Sequence, residues 1–518
     1  DELQMLDEWL STLIDLEIFE QHDNSRFPDE KEFGFRHALA RDAAYSLLTE
    51  SDLQTGHRVA ARYLSRVGET EPLVLAEHHR RGGEIELAIP LYLRAAEEAA
   101  RVLALPEARR CFAQTKDLLD GLTASARLAP RKIDVLLRQV QLGVTADSPE
   151  QNFARLAEAR SLMPPTTDGA QPDAADQRRS GWIDLLSGRI SYYQGRNAEA
   201  IGYYRRVLPV GEALKDKELT AVPAQLIGMA LLVQGHARGG TPLMARAVEG
   251  IEHLDSDFER IRALCMYGAG LIYGGEYHKG MAQHRLALER AAEAKQASVL
   301  GIAQMIYADS LRGAGEIAAW LKASESACQM SQKSGDQIYI YTAFSHIGWA
   351  HSILGNHAEA SKNRQRGLEL QQQLGGQLIF SDWFFAADIE MALRAGDVEQ
   401  ALALAEQRVP LFQKEKRLFA LSLAEQIWGL ALGGRALHGS ATAAAEGDAH
   451  LTAALSIMED SGLLFAAARL RLEWAHLCRK RGEEARAEEL RARAVSQYEH
   501  SRCAHILAEL EPTCIYKT

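Results

Sequence analysis

The chain has 518 residues, 47% of them hydrophobic, and a formal net charge of −12. This acidic balance argues against a protein that binds nucleic acid through a broad basic surface, and the apolar content excludes disorder along the whole chain. No apolar run approaches the roughly 18 residues of a membrane-spanning helix. The first residues do not resemble a secretion signal, and the six cysteines form no CxxC pair. We therefore expect a cytoplasmic protein without a zinc site.

The first 70 residues predict a small domain of helices with one hairpin. Residues 3–16 have helical periodicity, and residues 17–20 and 32–35 alternate apolar and polar side chains around a polar, proline-containing loop. Two further helical segments follow between residues 37 and 65. A helix, a two-stranded wing and more helices indicate a winged-helix remnant over residues 1–70.

The rest of the chain is dominated by an internal repeat of about 40 residues. Glycine-containing turns recur with spacings of 40, 40, 40, 40 and 41 residues at Gly195, Gly235, Gly275, Gly315, Gly355 and Gly396. Seven residues before most of these turns lies a small residue: Gly188, Gly228, Gly268, Ala308 and Gly348. Five residues after most turns lies another: Ala200, Gly240, Gly280, Ala360 and Ala401. A second series of polar breaks lies near Asp216, Asp255, Lys295, Gly335, Gly376 and Lys416.

This pattern predicts two antiparallel helices, A and B, in each repeat. Glycine at the turn supplies the left-handed residue that ends helix A, and the small residues mark where the helix backbones approach closely. A single helical pair cannot bury its apolar face, so neighbouring pairs must stack into a solenoid.

The repeat resembles the tetratricopeptide repeat, which has a small residue late in helix A, glycine at the turn and alanine early in helix B. Good copies are Gly188-Gly195-Ala200-Tyr204 and Ala76-Gly83-Ala88-Tyr92, whereas Trp320 and Ile389 depart from the pattern. We expect an all-α, tetratricopeptide-like α-solenoid superhelix of roughly ten helical pairs. The predicted divisions are partly degenerate repeats at 71–163, a loop at 164–179, regular repeats at 180–510 and a tail at 511–518. A second predicted loop covers 439–447.

The junction between residues 1–70 and the repeats resembles the corresponding region of bacterial STAND-type signalling ATPases. The resemblance rests on residues 33–45 (FGFRHALARDAAY), His57 and residues 75–79 (LAEHH), and it is close over about 95 residues. It implies a part of a longer protein, in which the repeats are the sensor for an upstream ATPase and an effector such as a serine/threonine kinase or nucleotide cyclase. It assigns domain-junction roles to Phe35, Arg36, His37, Arg41, Asp42, Tyr45, His57 and His78. For the Arg36-His37 and Arg41-Asp42 pairs, a solvated helix face is the alternative.

The chain contains no P-loop, kinase catalytic motif, HExxH zinc helix or GxSxG elbow. We therefore expect no catalytic residue, no cofactor and no metal ligand in this chain.

The tetratricopeptide resemblance implies a concave groove lined by helix A at fixed offsets. The position after the small residue gives Arg189, Met229, Asp309, Trp349 and Glu390. The positions four and five residues after it give Tyr192, Tyr193, Tyr273, Arg312 and Arg394. An earlier offset gives Trp182 and Trp383. Aromatic rings with charged groups between them suit a peptide or small polar ligand. The alternative is that these aromatic side chains fill the core between repeats.

Together these features predict a non-catalytic sensor and protein-interaction module, with a protein, peptide or small ligand in the groove and neither nucleic acid nor membrane as a partner. A passive scaffold or oligomerisation module is one alternative. Another is the ligand-sensing part of a maltotriose-regulator-like transcription factor, which would need a helix-turn-helix after the repeats.

Overall fold

The structure is a computed structural model that describes residues 2–27, 30–102, 104–122, 128–165, 172–254 and 256–516. These residues form 25 α-helices, one 3-10 helix and one two-stranded sheet, which confirms the predicted all-α class. None of the helices in this part of the chain is long and apolar enough to cross a membrane. The chain divides into two compact units, Asp1–Gln139 and Val140–Thr518.

Unit 1 begins with a helix and a hairpin. Its elements are α1 Glu2–Asp15, β1 Phe19–Gln21, β2 Phe33–Phe35, α2 Ala38–Ser46, α3 Glu50–Arg66, α4 Pro72–Arg81, α5 Ile85–Arg101, α6 Leu105–Gly121 and most of α7 Ala129–Gly143. The strands are antiparallel, with Phe19 opposite Phe35 and the two rings in edge contact at 4.6 Å between centroids. The predicted hairpin is confirmed, while its identity as the wing of a winged helix stays a prediction.

Unit 2 contains eight consecutive helical pairs. After α8 Pro149–Ser161, the A helices are α9 Ala174–Tyr193, α11 Lys217–Val233, α13 Asp257–Tyr273, α15 Ala297–Ala314, α17 Gln337–Ile353, α19 Ser381–Arg394, α21 Leu418–Ala436 and α23 Leu464–Lys480. The B helices are α10 Asn197–Leu214, α12 Ala237–Ile251, α14 Tyr277–Glu293, α16 Ile317–Ser334, α18 His357–Gln373, α20 Val398–Lys414, α22 Ala441–Ser461 and α24 Glu484–His500. Helix α25 His505–Leu510 and the 3-10 helix Glu511–Thr513 follow. The A helices carry most of the buried side chains, as a comparison of α17 with α18 illustrates.

The small residues of the repeat lie where helices A and B cross. A Cβ atom on Gly228 would lie 2.9 Å from the carbonyl oxygen of Gly240, and one on Gly240 would lie 2.6 Å from that of Gly228. Gly268 and Gly280 repeat this arrangement at 3.0 and 2.6 Å. The backbones are therefore in contact, as the pattern predicts. At the departure Trp320, the indole is fully buried and donates a hydrogen bond to Nδ1 of His346 at 2.9 Å.

Two segments that were predicted as loops are at least partly helical. Helix α9 begins at Ala174, inside the predicted loop 164–179, because Asp173 caps it by accepting a hydrogen bond from the amide of Asp176. Residues 166–171 of that loop lie outside the described residues. The second predicted loop, 439–447, is wrong for most of its length, because Ser440 caps α22 and the inserted residues lengthen this helix to 21 residues.

The polar breaks between repeats end the B helices. Lys215, Lys295, Gly335, Gly376 and Lys416 all have positive φ angles, which confirms the second periodic series at these positions. Asp255, the remaining predicted break, lies outside the described residues.

Successive turns of the superhelix in unit 2 touch one another. The amide of Ile379 donates to the carbonyl of Tyr193 at 2.8 Å, and the amide of Phe419 donates to that of Gln234 at 3.2 Å. Further along, the Tyr498 hydroxyl donates to the carbonyl of Ala314 at 3.2 Å. The turns between helices A and B therefore pack against segments about one superhelical turn later, and most side chains on the inner faces of the A helices are buried.

The contact between successive superhelical turns predicts different losses of folding free energy for two glycine substitutions. Gly235 and Gly355 have φ angles of +99° and +83°, so alanine at either position costs about 1–2 kcal/mol of folding free energy. A Cβ atom on Gly235 would also lie 2.6 Å from the backbone nitrogen of Phe419, whereas nothing lies within 4 Å of one on Gly355. We expect Gly235→Ala to be the more destabilising by at least about 1 kcal/mol in urea unfolding. Equal losses would contradict the contact between turns.

Candidate functional site

A cavity lies between the inner faces of six consecutive A helices, α9 to α19. The space open to the centres of water molecules is about 40 Å³, enough for roughly three waters. The lining is mostly apolar, with the polar side chains of Arg262, Asp309, Thr342 and His346 among aromatic and aliphatic groups. The lining residues are Tyr192, Tyr193, Met229, Leu232, Val233, Arg262, Met266, Ala269, Met305, Ile306, Asp309, Tyr339, Thr342, His346, Ile379, Phe380 and Trp383.

Ala269 explains why the space is in this part of the superhelix. It follows the small residue Gly268, at the position that Met229 and Asp309 occupy in the neighbouring repeats. Its methyl group is buried and lines the cavity, whereas the neighbouring repeats place longer side chains at this position. The inner face therefore lacks one large side chain at this position of the cavity lining.

A buried charge cluster lies at one wall of the cavity. Glu259 accepts hydrogen bonds from both Arg189 and Arg262, and all three side chains are at most 7% exposed. Burial opposes ionisation of Glu259, but the two guanidinium groups outweigh it and hold the pKa of this carboxyl below its ordinary value. Two cations therefore face one carboxylate. The Nε atoms of Arg189 and Arg262 are buried and have no hydrogen-bond partner among the described residues.

Next to the lining residues Asp309 and Trp383, Arg312 is held by aromatic rings. Its guanidinium lies 5.0 Å from the ring centroid of Trp349, 4.9 Å from that of Trp383 and 4.8 Å from that of Phe419. It also donates to Asp309 at 2.8 Å and to the Tyr273 hydroxyl. Cation–π attraction is strong at such desolvated sites, so Arg312 and its five partners form a preorganised group.

A further network continues from this group along the inner face. The indole of Trp349 donates to Oε2 of Glu390 at 2.8 Å, and Oε1 of Glu390 accepts from Arg394 at 2.8 Å and from Arg469 at 3.0 Å. Although burial opposes its ionisation, Arg394 and Arg469 hold the pKa of Glu390 below its ordinary value. Hydrogen bonds and ring contacts thus connect the cavity wall to α23.

The structure brings eleven of the twelve predicted groove residues to this interior. Those that line the cavity are Tyr192, Tyr193, Met229, Asp309 and Trp383. Those in the adjoining networks are Arg189, Tyr273, Arg312, Trp349, Glu390 and Arg394. Trp182 is separate from them, since it is partly exposed beneath the guanidinium of Arg178. Trp349 and Trp383 are each only 1% exposed, so these two also pack the core between repeats.

Several lining residues were missed by the sequence analysis. Arg262 and Thr342 lie six residues before the small position, the offset that identifies Trp383, and His346 lies two residues before it. Applying the same offset to every repeat would have found Arg262 and Thr342. Burial and the nearby charge of Arg312 hold the pKa of His346 well below its ordinary value, so the ring is neutral near pH 7.

In unit 1, three of the predicted junction residues form a chain of hydrogen bonds. The Tyr45 hydroxyl lies 2.6 Å from Nε2 of His57, and Nδ1 of His57 lies 3.0 Å from Nδ1 of His78. Burial lowers the pKa of both imidazoles, in keeping with a hydrogen bond in which one ring donates and the other accepts.

The other junction residues make local contacts. Arg41 donates to its neighbour Asp42 at 2.7 Å, and Arg36 forms an exposed ion pair with Glu17 at 3.1 Å. His37 is exposed at the start of α2, and Phe35 packs on Phe19 in the hairpin. Their contact with an upstream domain stays a prediction.

His284, on the outer helix α14, predicts a specific loss of stability in acid. The ring is fully buried, with Nε2 2.7 Å from the Ser310 hydroxyl, and burial lowers its pKa to about 3. Since the unfolded state binds the proton more tightly, the stabilisation is complete above about pH 6.5 and is lost as the pH falls toward 3. Between pH 7 and pH 5, we expect the advantage of the wild type over His284→Gln to shrink by about 2 kcal/mol in urea unfolding. A difference independent of pH would contradict the neutral ring.

No group of three or more His, Cys, Asp or Glu side chains that could hold a metal ion occurs in the part of the chain that the structure describes.

Sequence comparison does not assign the chain to a family. No protein-family model matches the chain. An uncharacterized protein of Rhizobium meliloti is 30% identical over 107 residues, which is 19% of this chain, and the match spans only 10% of that protein's length.

Among solved structures, a STAND protein with a tetratricopeptide repeat sensor from Pyrococcus horikoshii is 13% identical, with a TM-score of 0.44, and the match covers 78% of this chain and 59% of that one. The crystal structure of a Rap protein complexed with competence and sporulation factor is 15% identical, with a TM-score of 0.51, over 74% of this chain and 99% of that one. This chain therefore has a tetratricopeptide-like helical solenoid fold.

Proposed function

We propose that this chain is the non-catalytic sensor and protein-interaction region of a longer bacterial signalling protein, and that its ligand binds in the cavity between α9 and α19. One observation carries the proposal: six repeats converge on an apolar space that contains a few polar groups, the usual composition of a ligand site. The Nε–H group of Arg262, in the charge cluster around Glu259, is buried and has no acceptor among the described residues. Asp309 lines the same cavity.

These groups suit a ligand with both an acidic and a basic group, such as a short peptide with free termini. A guanidinium favours a carboxylate, and a carboxylate beside aromatic rings favours an ammonium group. The Rap protein to which this chain is similar in fold was crystallised in complex with competence and sporulation factor.

A ligand of this kind is larger than the present cavity. Binding therefore requires the contact between superhelical turns, such as that of Tyr193 with Ile379, to open. The ligand would shift the equilibrium toward the open arrangement only through its higher affinity for that arrangement. The change in curvature is the signal that we expect the parent protein to use.

Unit 1 supplies the surface for the upstream partner in this proposal. Trp9, Leu39 and Leu47 are 56%, 83% and 85% exposed. Apolar side chains that are so accessible are typical of a surface that another domain covers. We propose that the upstream ATPase, which controls an effector such as a serine/threonine kinase, contacts this surface.

The experiment is retention of a synthetic peptide library by the purified chain. We would incubate the wild type with blocked and unblocked tetrapeptides to heptapeptides, remove unbound peptide by gel filtration and identify retained peptides by mass spectrometry. Ala269→Leu fills the cavity and should abolish retention while keeping the thermal midpoint at or above that of the wild type. Ala282→Leu, on the exposed face of α14, is the matched control and should retain peptides normally.

Equal retention by Ala269→Leu and the wild type would place binding outside the cavity. Absence of retention by the wild type would favour the passive scaffold, for which the closed interior and the paired network around Glu390 are suitable.

A further inference from the structure

Residues 511–516 lie on the inner face of the last three A helices. Arg394 of α19 donates to the carbonyl of Thr513 at 2.7 Å, and Glu473 of α23 accepts from the amide of Ile515 at 2.8 Å. The Tyr516 hydroxyl donates to the carbonyl of Leu430, on α21, at 2.7 Å.

The residues that hold this segment occupy repeat positions that face the interior. Leu430 follows the small residue Gly429, as Asp309 follows Ala308. Glu473 lies two residues before the small residue Ala475, the offset of the cavity residue His346. The segment therefore covers the continuation of the surface that lines the cavity.

The contacts are of the kind that proteins make with a bound peptide. Arg394 and Glu473 contact main-chain groups two residues apart, on either side of Cys514. Cys514 has φ −63° and ψ 143°, an extended, polyproline-like conformation. Hydrogen bonds to the main chain do not depend on the identity of the side chains, so another extended segment could make them.

The segment is also held weakly by comparison with the repeats. Cys514 is the only residue of 511–516 that is buried, whereas the preceding Leu510 is 1% exposed and contacts Gly315. Ile515 and Tyr516 are partly buried against the core and Glu511 pairs with Arg491, but the segment buries less apolar surface than a repeat helix does. The segment can therefore leave while α25 stays in place.

We propose that Arg394, Leu430 and Glu473 form a peptide-binding site that residues 511–516 occupy in cis, and that an extended segment of another protein chain takes their place in trans. This site is distinct from the cavity. Its failure would leave the proposed function standing, because that proposal is tested at Ala269.

The test uses a fluorescent peptide of residues 507–516 with blocked ends. Two proteins open the site: a chain truncated after Leu510, and the full chain with Ile515→Pro. Proline removes the amide N–H group that donates a hydrogen bond to Glu473. Because the residue before a proline favours an extended conformation, which Cys514 already has, this variant should keep its fold. Fluorescence anisotropy should show saturable binding to both proteins, at least tenfold tighter than to the wild type. Circular dichroism should verify that both are folded.

Two modified peptides separate a backbone-reading site from nonspecific adhesion. Methylation of the amide nitrogen of Ile515 removes the donor to Glu473 and should weaken binding at least tenfold. Methylation at Tyr516, whose amide makes no hydrogen bond with the described residues, should change it less than threefold. Absence of binding to either folded variant, equal binding to the wild type, or equal effects of the two methyl groups would overturn the proposal.

Discussion

Replacing Trp383 by alanine should lower the free energy of unfolding of unit 2 by about 3–5 kcal/mol. The indole is 1% exposed, stacks on Phe419 at 3.9 Å between ring centroids and donates to the carbonyl of Val233 at 2.8 Å. Its removal therefore leaves a cavity and also breaks a hydrogen bond between successive superhelical turns. Urea unfolding followed by far-ultraviolet circular dichroism measures the loss.

Trp182→Ala is the matched control for this prediction. Trp182 lies at the same offset of its repeat but is partly exposed and lies away from the turn-to-turn contact. We expect Trp182→Ala to lower the free energy of unfolding by less than half as much as Trp383→Ala does. If both substitutions had the same effect, the packing of one superhelical turn on the next would not be the source of the stability.

Replacing Glu259 by glutamine should cost about 3–5 kcal/mol, because it leaves two buried guanidinium groups without a counter-charge. Arg189 and Arg262 both donate to this carboxylate, and their Nε atoms already lack partners among the described residues. Differential scanning calorimetry should show a lower transition temperature for unit 2.

Glu252→Gln tests the same change of charge at the surface. Glu252 forms an ion pair with Arg290 at 2.9 Å, and both side chains are at least one-third exposed. Such pairs contribute about 0–1 kcal/mol, so the transition should move little. A loss for Glu252→Gln as large as that for Glu259→Gln would contradict the assignment of the interior cluster as a desolvated charge group.

Periodicity was sufficient to predict the helical pairs, their turn glycines and their crossing points. These features depend on residues close in sequence, such as Gly228 and Gly240, whose backbones meet directly. The hairpin near Phe19 and Phe35 was also predictable from local alternation. The predicted loop at 439–447 was wrong because an insertion can extend a helix as readily as a turn when a residue such as Ser440 caps it.

The burial of the inner face could not be predicted, because it depends on contacts between residues about one superhelical turn apart. The offsets identified Tyr193 and Trp383 as inner residues, but no local signal indicates that Tyr193 meets Ile379 or that Trp383 meets Val233. Ala269 was not predicted, because its small side chain contributes to the site by leaving space and not by offering a group that binds a ligand. Residues 511–516 were predicted only as a tail, since isolated side chains such as Arg394 and Glu473 anchor the segment without any periodic pattern.

Because the inner side chains are buried, only some substitutions can test ligand binding without disturbing the fold. Tyr193 is 7% exposed and its hydroxyl lies 3.3 Å from that of Tyr339, so alanine at this position would disturb the fold together with the site. We expect Ala269→Leu to extend into the cavity that Ala269 lines, without removing a side chain that makes these contacts.

Hydrogen–deuterium exchange with a peptide retained by the wild type tests whether the cavity between α9 and α19 receives the ligand. We expect slower exchange at the cavity-lining segments around Tyr192, Met229, Arg262 and Asp309, and little change on the outer B helices α10, α12, α14, α16 and α18. Slower exchange confined to the outer helices or to unit 1, with the cavity-lining segments unchanged, would place the ligand outside the cavity.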